Sequence, residues 1–255
     1  MSGFQLSKWY LDCVTDSGDT SIVYVGSVAW RNFQLRYSSI LESSGDRVSV
    51  GHSVRDQTEP NVCGRLISWP GNSFGVHASW QADSKELHET ILSTDRGMID
   101  WHCLMPRACV QFGARCGLGY AERLVMTAPP WEIPIQELFW GRFESASDWI
   151  VWIDCQGELS RRIVFRNGER TQTLAIEDGR ILFADGSQLC MDRSLVLRQG
   201  SLGTTALRSI PGLNRLPVRL LRVHERKWRS AGKLLAPGGV EVQGWVIHER
   251  VSWPK

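Results

Sequence analysis

Most of this chain is written in a two-residue period. Runs such as "TSIVYVGSVAW", "FQLRYSSILE", "RVSVGHSV" and "NSFGVHASW" are bounded by "DSGD", "RN" and "SSGD". The second half continues with "WIVWIDC", "RRIVFRNG", "TQTLAIEDG", "RILFADG" and "RSLVLRQG". Successive residues of an extended strand point to opposite faces, so each run supplies one face for a core, and the Gly, Asn and Asp residues between runs supply turns. The chain is therefore expected to be all-β. Only "DSKELHETIL" at 83–92 has a spacing compatible with a helix.

An internal repeat divides the runs. "WYLDC" at 9–13 is echoed by "VWIDC" at 151–155, and "GYAERLVMTAPPW" at 119–131 by "GWVIHERVSWP" at 244–254. Each pair opens or closes a series of strands, so two similar β units follow one another. The three prolines of "TAPPWEIP" cannot continue a central strand and make a natural junction. The expected units are 1–132 and 133–255. Each holds about seven or eight strands joined by short turns, which suits a meandering antiparallel barrel. A barrel of about eight strands is just wide enough for one small ligand.

Composition narrows the partners. The formal charge is +2, with Lys and Arg scattered along the chain, so nucleic acid is not an expected partner. No apolar run approaches the roughly 18 residues that span a bilayer. "MSGFQLSKWY" lacks the pattern of a secretion signal. A cytoplasmic protein is expected, touching a membrane only peripherally to collect an apolar substrate. The seven cysteines (13, 63, 103, 109, 116, 155, 190) include no C-x-x-C pair, and the six histidines no H-x-x-x-H pair. Reduced thiols, no metal and no cofactor are the expectation. Twelve tryptophans are unusual for this length; core and inter-sheet packing accounts for most of them, and a ligand cavity would use only a few.

One residue is out of keeping with its neighbours. In "GLGYAERLVM" (117–126), Leu118, Tyr120, Glu122, Leu124 and Met126 share a face, which places a carboxyl in an apolar row. Burying an ionised carboxylate is costly, so Glu122 is either paired or keeps its proton. A retained proton would make it a general acid. Glu249, in the row Trp245, Ile247, Glu249, Val251, offers a parallel pattern in the second unit, where a closing-strand acid paired with an arginine such as Arg107 or Arg142 would be a fold device.

Taken together, "GLGYAE" (117–122), "WGRF" (140–143), "DWHCLMPRACV" (100–110) and "VIHE" (246–249) resemble the carotenoid 1,2-hydratase (hydroxyneurosporene synthase) superfamily, whose relatives include fungal Diels-Alderases. The resemblance implies two lipocalin-like barrels and a long apolar substrate. In the hydratases the acid of a G-x-G-Y-x-D pattern protonates an isolated double bond, and the matching slots here are Tyr120 and Glu122, with Trp101 as the strand tryptophan. The acid is Glu where the pattern has Asp, and Ile99 stands where a histidine is expected, leaving His102 as the nearby imidazole.

The expected function is binding of an apolar small molecule, an isoprenoid such as a carotenoid, a polyene or a polyketide of natural-product biosynthesis. Its expected chemistry is cofactor-free, acid-assisted hydration (a lyase-type activity) or cyclisation (an isomerase-type activity) at a double bond. Glu122 would donate the proton, Tyr120 orient it, and Trp101 stabilise the cation. Substrate-binding candidates are His102, Arg142, Trp30, Tyr37, Trp80, Leu124 and Met126. Trp69, like Trp30, Tyr37 and Trp80, is a first-unit strand aromatic that could line a barrel, with core packing the favoured reading for each. Asp12 and Asp154, matched across the repeat, read as turn or cap residues, and His248 and Glu249 lie on opposite faces of one strand. Two alternatives stay open: a pericyclase that chiefly folds its substrate into a reactive shape, and a lipophile carrier that does no chemistry.

Overall fold

A computed structural model describes residues 3–55, 58–205 and 217–254, except for the side chains at 193 and 194. It is built almost wholly of antiparallel strands. The first sheet comprises β1 (Gln5–Val14), β2 (Thr20–Trp30), β3 (Phe33–Ser44), β4 (Arg47–Ser53), β5 (Asn61–Cys63), β6 (Leu66–Gly71), β7 (Val76–Ala82), β8 (Leu87–Thr94), β9 (Gly97–Phe112) and β10 (Arg115–Met126). The second comprises β11 (Glu137–Ser145), β12 (Trp149–Gln156), β13 (Arg161–Arg166), β14 (Glu169–Arg170), β15 (Thr173–Glu177), β16 (Arg180–Phe183), β17 (Gln188–Ser201), β18 (His224–Leu235) and β19 (Glu241–Ser252). These form two compact units, Met1–Ile133 and Pro134–Lys255. Among the described residues no helix is long and apolar enough to cross a membrane.

Sheet order is β4-β3-β2-β1-β10-β9-β7-β6-β5 in the first unit, with β8 also on β9, and β14-β13-β12-β11-β19-β18-β17-β16-β15 in the second. In each, the first and last long strands pair, β1 with β10 and β11 with β19. The first sheet is rolled. Three ladders separate β1 from β7, roughly 14 Å in a flat sheet, yet the Trp80 indole on β7 donates to the Asp12 carbonyl on β1 at 2.7 Å. Rolling gathers Trp9, Leu11, Val23, Ile67, Trp69, Trp80 and Val110 into one core. The second unit packs Phe143, Ile150, Trp152, Phe183, Leu189 and Val246 in the same manner.

Two expectations need correction. The stretch at 83–92 is not helical: Leu87–Thr94 is a strand on β9, burying Leu87 and Ile91 while Thr90 faces Asp100. Pairing with an available strand outweighs a weak helical spacing in so short a window. The "WYLDC"/"VWIDC" echo is also out of structural step, because Asp12 lies on β1, the partner of the closing strand, whereas Asp154 lies one strand further out on β12. There Asp154 takes Arg162 Nε at 3.1 Å.

Candidate active site

The site begins on β10. Tyr120 and Glu122 are both buried, with Met126 on the same face. On the opposite face the glycines allow close strand approach: a Cβ on Gly117 would lie 2.2 Å from the Val14 carbonyl oxygen, and one on Gly119 2.1 Å from that of Asp12. No side chain larger than hydrogen fits there. The glycines are therefore a packing device.

Trp101 reaches the same face from the neighbouring strand β9, where a double register slip brings it two residues nearer to Glu122. Pro106 has no N–H to give the β9–β10 ladder, and the register slips around it: Gly119 faces Ala108, Ala121 faces Met105, and Glu122 faces Cys103. One extra residue on β9 reverses its alternation and the second restores it, so only the stretch between the two slips changes face. Met105 thus stays with Ala121 in the core, while Cys103 and Trp101 share the face of Glu122.

There one carboxyl oxygen collects two donors. Glu122 Oε2 accepts the Tyr120 hydroxyl at 2.7 Å and also the Trp101 indole N–H. A proton carried by this carboxyl therefore sits on Oε1. Burial, with the neighbouring Cys103 thiol and Glu122 carboxyl adding to it, holds the Tyr120 hydroxyl well above its ordinary ionisation range. The phenol thus stays neutral and a donor.

A second pair lies beside the first. Tyr10 donates to Asp12 Oδ2 at 2.8 Å, and both are buried. Register sets Tyr10 opposite Glu122 and Asp12 opposite Tyr120. The Tyr10 ring meets those of Tyr24 and Tyr120 edge-on, with centroids 5.4 and 6.0 Å apart. Asp12 is thus no turn residue. The signal for it was present as Tyr-x-acid spacing, in "YLD" at 10–12 and again in "YAE" at 120–122.

The substrate-binding candidates separate by face. Leu124 pairs with Lys8 and Trp101, Lys8 with Gly26, and Gly26 with Tyr37, so Leu124 and Tyr37 share the Glu122 face. Gly26 makes room for Tyr37, whose ring carbon lies 2.8 Å from where a Cβ would stand. Met126 and Trp30 follow on that face, Trp30 against Trp131 with ring centroids 5.1 Å apart. Trp80 points the other way, into the core with Trp69. His102 lies opposite Arg123, off the Glu122 face, with Nε2 3.4 Å from Glu86 and its ring beside His88.

Arg142 belongs to the second unit, where it is buried and donates to Glu144 Oε2 at 2.7 Å. The "WGRF" glycine, Gly141, leaves space for Trp152, which a Cβ would meet at 2.2 Å. Glu249 pairs with Lys227 at 2.6 Å. His248 Nε2 lies 3.0 Å from Ser230 Oγ and stacks on Trp228. None of the seven cysteines is in a disulfide, and among the described residues no group of three or more His, Cys, Asp or Glu side chains could hold a metal ion.

No family model matches the sequence, and a search of characterised proteins gives no significant match. Solved structures do align. CghA matches over 99% of this chain and 89% of its own, with a TM-score of 0.60 and 10% identity. The complex of CghA with Sch210972 matches over the same shares at 0.57. Kievitone hydratase from Nectria haematococca matches over 98% of this chain and 89% of its own, at 0.52 and 12% identity. At these identities the likeness is one of fold. The chain shares the lipocalin-like double-barrel fold that the sequence resemblance implied.

Proposed function

We propose that this protein binds an apolar small molecule, an isoprenoid, polyene or polyketide, and catalyses its cofactor-free hydration or cyclisation at a double bond. The observation that carries this reading is the buried Glu122 carboxyl, whose Oε2 accepts from Tyr120 and Trp101; in the proposed reaction the transferable proton is on Oε1. Oε1 gives its proton to an alkene carbon, and the adjacent carbon becomes cationic. The Trp101 and Tyr120 ring faces stabilise that charge, each contact contributing roughly 1 to 2 kcal/mol in a dry site. Water quenches the cation in hydration, and a neighbouring double bond or hydroxyl quenches it in cyclisation. The shared fold of a protein named as a hydratase supports the reading.

The test is Glu122→Gln, which keeps the shape and removes the transferable proton. Wild-type and variant protein are incubated with squalene, lycopene and kievitone in H2¹⁸O, and products are followed by mass. Wild type is expected to add labelled water or yield an isomer, and the variant to do so about a thousandfold more slowly. Full turnover by the variant rules the mechanism out. A loss of only about tenfold favours the pericyclase reading, in which orientation supplies most of the rate.

A further inference from the structure

The proposed chemistry uses one acid, whereas the buried face holds two. Tyr10 and Asp12 on β1 repeat, strand for antiparallel strand, what Tyr120 and Glu122 do on β10. Each phenol donates to the acid two residues further along its own strand, and each stands opposite the acid of the other pair. Diagonal neighbours in such a ladder lie about 7 to 8 Å apart at Cα, so the carboxyls of Asp12 and Glu122 project from the same patch of one face.

Addition of water to a double bond needs a proton given and a proton taken. We propose that Asp12 is the second acid–base group of the site, receiving the proton that the attacking water releases; this rests on the acid role of Glu122 given above. The steps balance. The alkene π pair takes the proton of Glu122 Oε1, forming a C–H bond and leaving a carboxylate and a carbocation. A lone pair of water forms the C–O bond, and the excess proton of the resulting oxonium passes to the Asp12 carboxylate. The site then holds Asp12 protonated and Glu122 ionised, and one proton returning from Asp12 to Glu122 resets it. Tyr120, opposite Asp12 and bonded to Glu122, lies on that route.

The second unit keeps an acid at one of the two positions and has an apolar residue at the other, and it replaces the tyrosine beside the retained acid by an arginine. By ladder register, Tyr10 and Asp12 correspond to Arg142 and Glu144, and Tyr120 and Glu122 to Trp245 and Ile247. That unit carries a guanidinium beside its one acid.

Infrared spectroscopy of the intact protein at neutral pH separates this inference from the reading beneath it. Wild type should show a buried carboxylic-acid C=O band that disappears in Glu122→Gln. In Asp12→Asn the band should persist but shift, because a neighbouring negative charge is gone. If Glu122→Gln leaves the band intact, the acid role of Glu122 falls and this inference with it. If that band is lost in Glu122→Gln yet unshifted in Asp12→Asn, Glu122 stands and Asp12 is overturned. A band lost in Asp12→Asn but kept in Glu122→Gln reverses the roles and also overturns it. Near-ultraviolet circular dichroism checks folding. Should Asp12→Asn not fold, Tyr10→Phe replaces it, with a shifted Glu122 band expected and an unmoved one overturning the proposal. With whichever of squalene, lycopene and kievitone wild type hydrates fastest, Asp12→Asn should lower kcat about a hundredfold and leave KM within twofold. Unchanged kcat overturns the assignment.

Discussion

The two units use one frame for different ends. In both, the closing strand packs a glycine against the first strand: a Cβ would stand 2.1 Å from the Asp12 carbonyl oxygen at Gly119, and 2.1 Å from that of Glu144 at Gly244. Counting from these glycines aligns Tyr120 with Trp245 and Glu122 with Ile247. Glu249, which by pattern alone looks like a partner for Glu122, falls two residues further on and pairs with Lys227. The first unit therefore holds its two acids with phenol and indole donors, whereas the second matches Glu144 with Arg142 and Glu249 with Lys227. A neutral donor orients a carboxyl and leaves its proton exchangeable. A cationic partner neutralises it and consigns it to holding strands together.

The contrast breaks most directly on its acids. Glu122→Gln is expected to cut turnover about a thousandfold with little change in melting temperature, whereas Glu249→Gln should leave turnover within twofold. Equal losses would erase the distinction between the units. Removing the second unit's carboxylate altogether, in Glu249→Ala, leaves the buried Lys227 without that partner. It should cost about 3 kcal/mol in urea unfolding.

The shared frame is tested by Gly119→Ala and Gly244→Ala. Each drives a methyl into a carbonyl oxygen, and each should cost about 2 to 3 kcal/mol. A large cost in one unit alone would mean that the two glycines are not equivalent.

The smallest effects come from Tyr120→Phe: about tenfold in turnover and about 1 kcal/mol in stability. Its pH signature is more telling. The folded state holds the Tyr120 phenol above its ordinary value of 10.0, so the protonated form is favoured on folding. Stability from this source is complete below pH 10 and drains away as pH rises beyond it, because only the unfolded chain ionises freely there. Melting temperature should fall above pH 10 in wild type, and less steeply in Tyr120→Phe.

Much of this was open to reading in the sequence. Alternation and turn residues indicate an all-β chain because side-chain period and turn chemistry are local properties. Glu122 stood out because an acid in an apolar row needs an explanation wherever the row lies. The stretch at 83–92 was not legible, since its strand exists only by pairing with β9. Nor was the placing of His102 and Trp80 away from the Glu122 face, because which of two apolar faces becomes core depends on how the sheet rolls.

Sequence alone, then, determined the strand-rich class, the twofold repeat and the anomalous acid, each a matter of residues a few positions apart. Tertiary structure decided what that acid meets. The double slip around Pro106 set Trp101 diagonal to Glu122 instead of two residues further along the same face, and the β1–β10 register set Tyr10 and Asp12 beside Tyr120. One contact joins residues 21 positions apart and the other residues on the first and last strands of the unit, and both depend on ladder register, where a slip of one residue moves every side chain to the other face.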